Sequence, residues 1–464
     1  MNLEAAVPAV FFVAMAVIAM VTARALGQGA VNPISVYATV WSTVSMLAVL
    51  SLTDFRPMRF ATWSLVFASS AALVLGSVHA WLFLTISSRR RALGRTSTPV
   101  VYSERSVNAA FLVGLAALVA YVGIQFLRPS VFAVFQSVGG LKGILNGSGL
   151  EYRYAYVALS LQQAETGFEG GGLGVAVIGY LLFVPAMLVV LLSGHFALSK
   201  RWWMVAVPMA VIACYSALSL ERATFIHALL LCLLSCYYHA VVQNSRKRGK
   251  QRRKAIDRLR MGATVLVVIA VAIYVPLKVR DPSLTILGTL DSVLEYVSAP
   301  LGALNLYVIQ HPSIIPAKVA LGTNSFWGPA SVLLRLGVPL HLPPNWMEFV
   351  LYQARGQRTS NVYTWLLYFL LDFGWAGVIA IPYALGLGAT SLHFFVVVRG
   401  RRDLIAPLCI LMTQLVMSFF AFSLLRDLRY WFLMLLAPVV IRSAIAQNTR
   451  VVGGHAPPAT PATS

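Results

Sequence analysis

The stretch GGLGVAVIGYLLFVPAMLVVLLS, residues 171–193, decides the class of fold. It runs for 23 residues without a charged side chain. As a helix, a run of about 18 or more apolar residues is long enough to cross a hydrocarbon core roughly 30 Å thick. The stretch therefore predicts a membrane-spanning helix.

Similar apolar runs recur along the chain of 464 residues, of which 59% are hydrophobic and only 11% charged. A soluble domain carries about a quarter charged residues. We therefore expect an all-α, polytopic membrane bundle over residues 1–447, followed by a disordered tail over 448–464 that is rich in Ala, Pro and Thr. About eleven spans are predicted, near residues 4–22, 33–53, 60–86, 107–127, 171–193, 202–219, 223–242, 262–278, 373–398, 404–424 and 428–446.

The net charge of +21 comes from basic residues that bunch between the apolar runs. In a soluble protein this charge would suggest a nucleic-acid partner, but between spans it orients the helices, so no nucleic-acid partner is expected. The strongly basic connections are residues 89–95, 246–260 and 399–402. Even numbers of spans separate these connections, so all of them can lie in the cytoplasm.

This topology predicts a cytoplasmic basic loop over 244–260 and two long outer loops over about 128–170 and 279–360. The same parity places the N-terminus outside and the tail inside. The turns that contain Arg222 and the pair Arg426 and Arg429 also face outward in this arrangement.

Residues 361–398 form an unusually long apolar segment with one internal carboxylate, Asp372. As one helix the segment would measure about 57 Å, well beyond the thickness of a bilayer. We expect a break at Asp372, Phe373 and Gly374, where a charge and a glycine come together. The prediction is a short amphipathic or re-entrant outer helix from Asn361 to Leu371, a span that starts near Gly374, and Asp372 at the membrane interface.

Cationic side chains occur in the predicted outer connections, where the positive-inside rule would deplete them. The guanidinium fork of arginine binds phosphate oxygens through paired hydrogen bonds and stays charged at physiological pH. Nearby aromatic residues attract guanidinium groups and stack on sugar rings. The pattern favours an anionic, sugar-bearing ligand that approaches from outside. The candidate cations are Arg153, Arg222, Arg280, Arg355, Arg358, Arg426 and Arg429.

An outer arginine can also serve as a headgroup anchor or as the partner of a loop carboxylate, as Glu221 could be for Arg222. Asp372 and the histidines of the second outer loop, His311 and His341, are candidate general bases. The chain shows no phosphate-binding glycine loop, zinc motif or nucleophile elbow. We therefore expect no metal and no cofactor. The four cysteines lie inside apolar runs, which predicts no disulfide.

The motif SNVYT at 360–364, followed by LDFG at 371–374 and by Gly377, closely resembles a stretch of the Wzy group of oligosaccharide repeat-unit polymerases. The family has threonine where this chain has Ser360. The segments EYR at 151–153 and LSLER at 218–222, and Asn32 with Pro33, also resemble this family.

The resemblance implies a metal-independent glycosyltransferase of the GT-C kind in the bacterial inner membrane. Its donor and its acceptor would be oligosaccharides on undecaprenyl pyrophosphate, and a regulator of chain length would be a further partner. By position, the resemblance implies essential roles for Arg153 and Arg222, and less directly for Arg355 and Arg358. With the candidate carboxylate Asp372, the predicted catalytic set is Arg153, Arg222 and Asp372. The predicted substrate-binding set is Arg280, Arg355, Arg358, Asn361, Tyr363, Arg426 and Arg429.

Two other functions stay open. An O-antigen ligase uses the same kind of donor and depends on a histidine of the large outer loop, here His311 or His341. A transporter of lipid-linked sugars is expected to show internal repeats and polar residues at the membrane midplane. The sequence shows no such repeat, and its charges cluster at the ends of the spans. A polymerase is therefore the preferred interpretation.

Overall fold

The computed structural model describes most of the helical part of the chain. The described residues are 3–26, 31–49, 58–91, 101–126, 129–143, 148, 151–152, 155, 172–219, 222–244, 285–311, 322–326, 328–330, 333, 338, 350–351, 359–360, 364–419 and 427–447.

Helices dominate these residues. They are α1 (Leu3–Ala25), α2 (Pro33–Val49), α3 (Phe60–Arg91), α4 (Glu104–Phe126), α5 (Pro129–Ser137), α6 (Gly140–Gly143), α7 (Gly172–Leu191), α8 (Ser193–Leu198), α9 (Trp203–Ser219), α10 (Arg222–Asn244), α11 (Ile286–Gln310), α12 (Trp365–Val397), α13 (Ile405–Met417) and α14 (Leu428–Val440). A 3₁₀ helix (Arg402–Leu404), a π-helical segment (Ile441–Ile445) and two antiparallel pairs of two-residue strands complete the description. The strand pairs join β1 (Val101–Tyr102) to β4 (Ala446–Gln447) and β2 (Val350–Leu351) to β3 (Thr359–Ser360).

Within the described part of the chain, five helical segments are long and apolar enough to cross a membrane. These are Phe60–Ser88, Glu104–Ile124, Leu181–Leu198, Thr224–Gln243 and Trp365–Val397. Shorter apolar helices cover Val10–Ala25, Trp203–Ser216 and Val297–Gln310. Each predicted span except 262–278, which lies outside the described residues, overlaps a helix. The predicted class, a multi-pass helical protein, is therefore confirmed.

Helices α3 and α12 form the central pair of the bundle and run in the same direction. A Cβ added to Gly386 would meet the Leu73 carbonyl at 2.2 Å, and farther along both helices the rings of Trp81 and Phe394 lie 5.3 Å apart. A Cβ on Gly76 would likewise meet the Tyr383 carbonyl at 2.1 Å. Glycine thus lets the two backbones approach closely, as small residues do between membrane helices.

The parallel arrangement brings the predicted basic connections together. Helix α3 ends at Arg91 and α12 ends just before Arg399. Near the end of α10, which precedes the basic loop 244–260, the Tyr238 ring lies 5.8 Å from the ring of His393 on α12. We call the ends of α3, α10 and α12 the cation-rich end. This grouping agrees with the predicted placement of these connections on one side of the membrane.

The second predicted outer loop contains a helix that the sequence analysis missed. Helix α11 starts with Thr285 as its N-cap, whose hydroxyl accepts a hydrogen bond from the Gly288 N–H at 3.1 Å. Its second half is buried in the bundle, with Leu301 and Leu304 fully covered. The sequence did not reveal this helix because Thr, Asp, Ser and Glu interrupt residues 286–298, so no apolar run of span length appears.

The predicted break in the segment 361–398 is confirmed at Gly374, which has φ 59° and ψ −148° inside α12. The predicted start of the outer helix at Asn361 and its amphipathic character are wrong, whereas the re-entrant alternative stays a prediction. The helix begins at Trp365, and its first part is not amphipathic, because Trp365 to Leu370 are all buried. Asp372 is fully buried in protein, and its position at the level of the membrane interface stays a prediction. Packing by other segments, which a single stretch of sequence does not reveal, covers this half-helix.

Candidate functional site

The buried carboxylate of Asp372 holds a polar turn, residues 322–326, against the break of α12. One carboxylate oxygen accepts hydrogen bonds from the backbone N–H of Asn324 at 3.0 Å and from its side-chain amide at 2.9 Å. The other oxygen accepts a short hydrogen bond from the backbone N–H of Ser325. Hydrogen bonds to a charged group contribute about 1.5–3 kcal/mol each. Asp372 is therefore a clamp, and both of its oxygens are engaged.

The turn is almost completely enclosed. Thr323, Asn324 and Ser325 are at most 6% exposed. Gly322 adopts a left-handed conformation with φ 94°, and a Cβ there would crowd the rings of Phe326 and Phe373 at 3.3 Å. Irregular backbone at membrane depth is tolerated where protein buries it. The Asp372 clamp supplies the hydrogen bonds that such a segment needs.

A second polar cluster surrounds Arg429 at the start of α14. Its guanidinium donates to both carboxylate oxygens of Asp427, at 2.5–2.9 Å, and to the Tyr121 hydroxyl at 2.5 Å. The same group lies 5.1 Å above the Phe183 ring. Asp427 also caps α14 by accepting from the Arg429 backbone N–H at 2.9 Å. Asp427 therefore partly neutralises the charge of Arg429, while the aromatic groups fix its position.

Aromatic contacts connect these two clusters. The Phe326 ring of the turn lies 6.3 Å from Trp431, one helical residue beyond Tyr430. The Tyr430 ring lies 5.4 Å from Phe183 and 6.0 Å from His227 on α10. Helix α10 begins at Arg222, little more than one turn before His227. The starts of α10, α12 and α14 thus share one end of the bundle, which we call the site end.

The structure brings three of the predicted site residues to this end. Asp372 and Arg429 are described with their side chains, and Arg222 is described as the first residue of α10. The other predicted residues lie outside the described part of the chain, and they remain predictions. These are Arg153, Arg280, Arg355, Arg358, Asn361, Tyr363 and Arg426.

Sequence reasoning missed the partners that hold the site. Asn324 and Ser325 are 48 and 47 positions away from Asp372 along the chain. Tyr121, which accepts from Arg429, is 308 positions away. The only local signal is the polar stretch GTNS at 322–325, preceded and followed by apolar residues. That signal identifies a turn but not its partner.

Of the two histidines predicted as candidate general bases, the structure describes His311 but not His341. His311 is exposed at the C-terminal cap of α11, with its ring stacked on Tyr307 at 4.3 Å and its Nδ1 3.0 Å from the Tyr307 carbonyl oxygen. His341 lies outside the described residues. Among the side chains that the structure describes, no group of three or more His, Cys, Asp or Glu could hold a metal ion.

Comparisons with protein-family models, with curated proteins and with solved structures find no match for this chain.

Proposed function

We propose that this protein polymerises oligosaccharide repeat units carried on undecaprenyl pyrophosphate, by glycosyl transfer at the periplasmic face of the bacterial inner membrane. The chain would form a GT-C-like bundle of about eleven spans. The observation that carries the proposal is the position of the LDFG motif at 371–374. The motif contains both Gly374, where α12 breaks, and Asp372, the buried clamp. It lies at the end of the bundle opposite the cation-rich end.

The charge distribution supports this choice of face. Lys and Arg near the ends of spans are retained in the cytoplasm. The cation-rich end would therefore be cytoplasmic and the site end periplasmic. Arg222 and Arg429, at the starts of α10 and α14, would then be cations on the side where lipid-linked repeat units are joined.

The reaction makes limited demands on the protein. A hydroxyl oxygen of the acceptor sugar attacks the anomeric carbon of the donor, the bond from that carbon to the pyrophosphate oxygen breaks, and undecaprenyl pyrophosphate leaves with the electron pair. A base takes the hydroxyl proton. Fixed cations stabilise the negative charge that develops on the leaving group, most strongly where water is excluded. Arg153 and Arg222 would supply this stabilisation.

The geometry changes the role that we propose for Asp372. Both carboxylate oxygens accept hydrogen bonds from the 322–326 turn, and the residue is buried. Asp372 would therefore act as a positioning residue that seats the turn beside the site. The proton acceptor would be another carboxylate or a histidine of the outer loops.

The broken helix favours one second candidate, a transporter of lipid-linked sugars. Transporters often bind substrate where a membrane helix is interrupted, and α12 is interrupted at Gly374 beside a buried polar turn. A transporter moves the lipid-linked unit without joining units together. Accumulation of unpolymerised but outward-facing repeat units therefore distinguishes a polymerase defect from a transport defect.

The test uses a strain that lacks its own polymerase and reads the ladder of polymerised repeats on a gel. Wild-type protein should restore the ladder. The Arg153→Ala and Arg222→Ala variants should slow transfer roughly 10- to 100-fold, because each contact to a charged group contributes about 1.5–3 kcal/mol. Lysine at either position should only partly substitute, since it lacks the fork.

Arg442→Ala is the matched control, because Arg442 is an exposed arginine beyond the other end of α14. It should leave the ladder unchanged at equal protein level. Normal ladders from both Arg153→Ala and Arg222→Ala would refute the site. Loss of ligation to a lipid A core sugar, with repeats still joined, would instead favour an O-antigen ligase, and His311→Ala would test that reading.

A further inference from the structure

The tight turn between α8 and α9, with the sequence Ser199-Lys200-Arg201-Trp202-Trp203, carries a feature that glycosyl transfer does not use. The backbone N–H groups of Ser199, Lys200 and Arg201 donate to carbonyls of α8 at 2.9–3.1 Å, so the turn is closed by hydrogen bonds. Lys200 has φ 59°, and it is the only residue other than glycine with positive φ among the described residues. This conformation ends α8 in a Schellman motif, because the Arg201 N–H donates to the Phe196 carbonyl and the Lys200 N–H to the Ala197 carbonyl.

The turn is braced against α4. The Arg201 guanidinium donates to the Asn108 side-chain oxygen at 2.8 Å and lies 3.3 Å from the Glu104 carboxylate. Two residues further, the Trp203 ring packs edge-on against Phe111 at 5.1 Å. Lys200 lies in this braced turn and Arg105 lies in the first turn of α4, and both residues are exposed. Their backbones are therefore held in place by hydrogen bonds and packing.

Two adjacent tryptophans border these cations. Trp202 is 63% exposed and Trp203 is 58% exposed. Tryptophan is enriched at the boundary between headgroups and acyl chains, because its ring is apolar and its single N–H can donate a hydrogen bond to a headgroup. Lysine and arginine beside such rings bury their stems and hold their charges at the level of the phosphates.

The location of the turn agrees with a membrane surface. The turn follows α8, whose Gly194 N–H donates to the Ser235 hydroxyl of α10 at 3.1 Å. Ser235 lies in the second half of α10, which ends at Asn244, so the turn lies near the cation-rich end. Arg105, Lys200 and Arg201 carry three positive charges against the single carboxylate of Glu104, which is 81% exposed. The excess charge is positive, whereas the lipid phosphates are negative.

We propose that this turn and the first turn of α4 form a binding site for the headgroup of an anionic phospholipid of the cytoplasmic leaflet. The phosphate lies between Lys200 and Arg105, and the indoles of Trp202 and Trp203 lie along the glycerol and upper acyl chains. The inference does not depend on the proposed glycosyl transfer.

The test is native mass spectrometry of the full chain in detergent, titrated with phosphatidylglycerol and, separately, with phosphatidylcholine. Wild-type protein should bind phosphatidylglycerol more tightly than phosphatidylcholine. The double variant Lys200→Asn with Arg105→Gln should weaken phosphatidylglycerol binding roughly 30-fold, since each Lys or Arg near anionic lipid contributes about 1 kcal/mol. Asparagine adopts the left-handed conformation readily, so this variant should fold as wild type.

The matched control is the double variant Arg24→Gln with Lys142→Gln. It also removes two exposed cations, one at the end of α1 and one in α6. Its affinity for phosphatidylglycerol should stay within about twofold of wild type. The proposal fails if the Lys200→Asn, Arg105→Gln variant binds phosphatidylglycerol like wild type, if the control loses as much affinity, or if wild type does not distinguish the two lipids.

Discussion

Asn324 donates both its backbone N–H and its side-chain amide to a single carboxylate oxygen of Asp372, at 3.0 and 2.9 Å. The two residues are 48 positions apart, and both are buried. This double contact fixes the polar turn 322–326 to the break of α12. Its contribution can be measured separately from catalysis.

Asp372→Ala should destabilise the protein markedly, because it leaves the N–H donors of Asn324 and Ser325 without their acceptor. A buried donor left unsatisfied costs about 1–3 kcal/mol. Asn324→Ala should cost less, since only the side-chain bond is lost. The free energies of unfolding, measured by titration with a denaturing detergent, should be less than additive in the double variant. Strict additivity would mean that the two side chains do not interact.

Gly374→Ala should lower stability by about 1–3 kcal/mol even though a Cβ there meets no atom within 4 Å. The reason is the backbone, since φ 59° with ψ −148° belongs to a region that essentially only glycine occupies. Gly388→Ala is the control, because Gly388 is in the same helix, has equally open space and shows no positive φ. It should be neutral or slightly stabilising. Equal effects of the two substitutions would argue against a strained break.

Arg429→Ala and Arg222→Ala should have different effects. Removal of Arg429 leaves Asp427 without its cation and Tyr121 without its donor, so the melting temperature should fall. Arg429→Lys should recover only part of this loss, because lysine cannot form the paired contacts. Arg222→Ala should keep the melting temperature while it lowers polymer yield. A stable, inactive Arg429→Ala protein would show instead that Arg429 contacts substrate.

A topology reporter fused after Gly249 should register the cytoplasm, and one fused after Ile314 should register the periplasm. The basic loop 244–260 is the reason for the first expectation. For the second, the Asn305 side chain near the end of α11 accepts from the Arg59 N–H at 2.8 Å, at the start of α3 and away from its basic end. The same side reported by both fusions would contradict the topology.

The sequence predicted features that lie within one segment of the chain, but not contacts between residues far apart in sequence. The spans and the break at Gly374 are local, because an apolar run or a charge beside a glycine is visible within one segment. Helix α11 was missed because polar residues interrupt its first half and because its second half is covered only in the folded bundle. The Asp372 clamp and the Arg429–Tyr121 contact join distant segments, so no pattern within either segment could reveal them.

The small sheet formed by β1 and β4 imposes an order on biosynthesis. Tyr102 pairs with Ala446, and the Ser103 N–H donates to the Ile445 carbonyl at 2.9 Å, just before α4 begins. The ribosome reaches Ala446 roughly 340 residues after Tyr102, which at about 5–20 residues per second takes roughly 20–70 s. Throughout this interval the entry to α4 lacks its strand partner. The β1–β4 pair can therefore form only after α14 has left the ribosome.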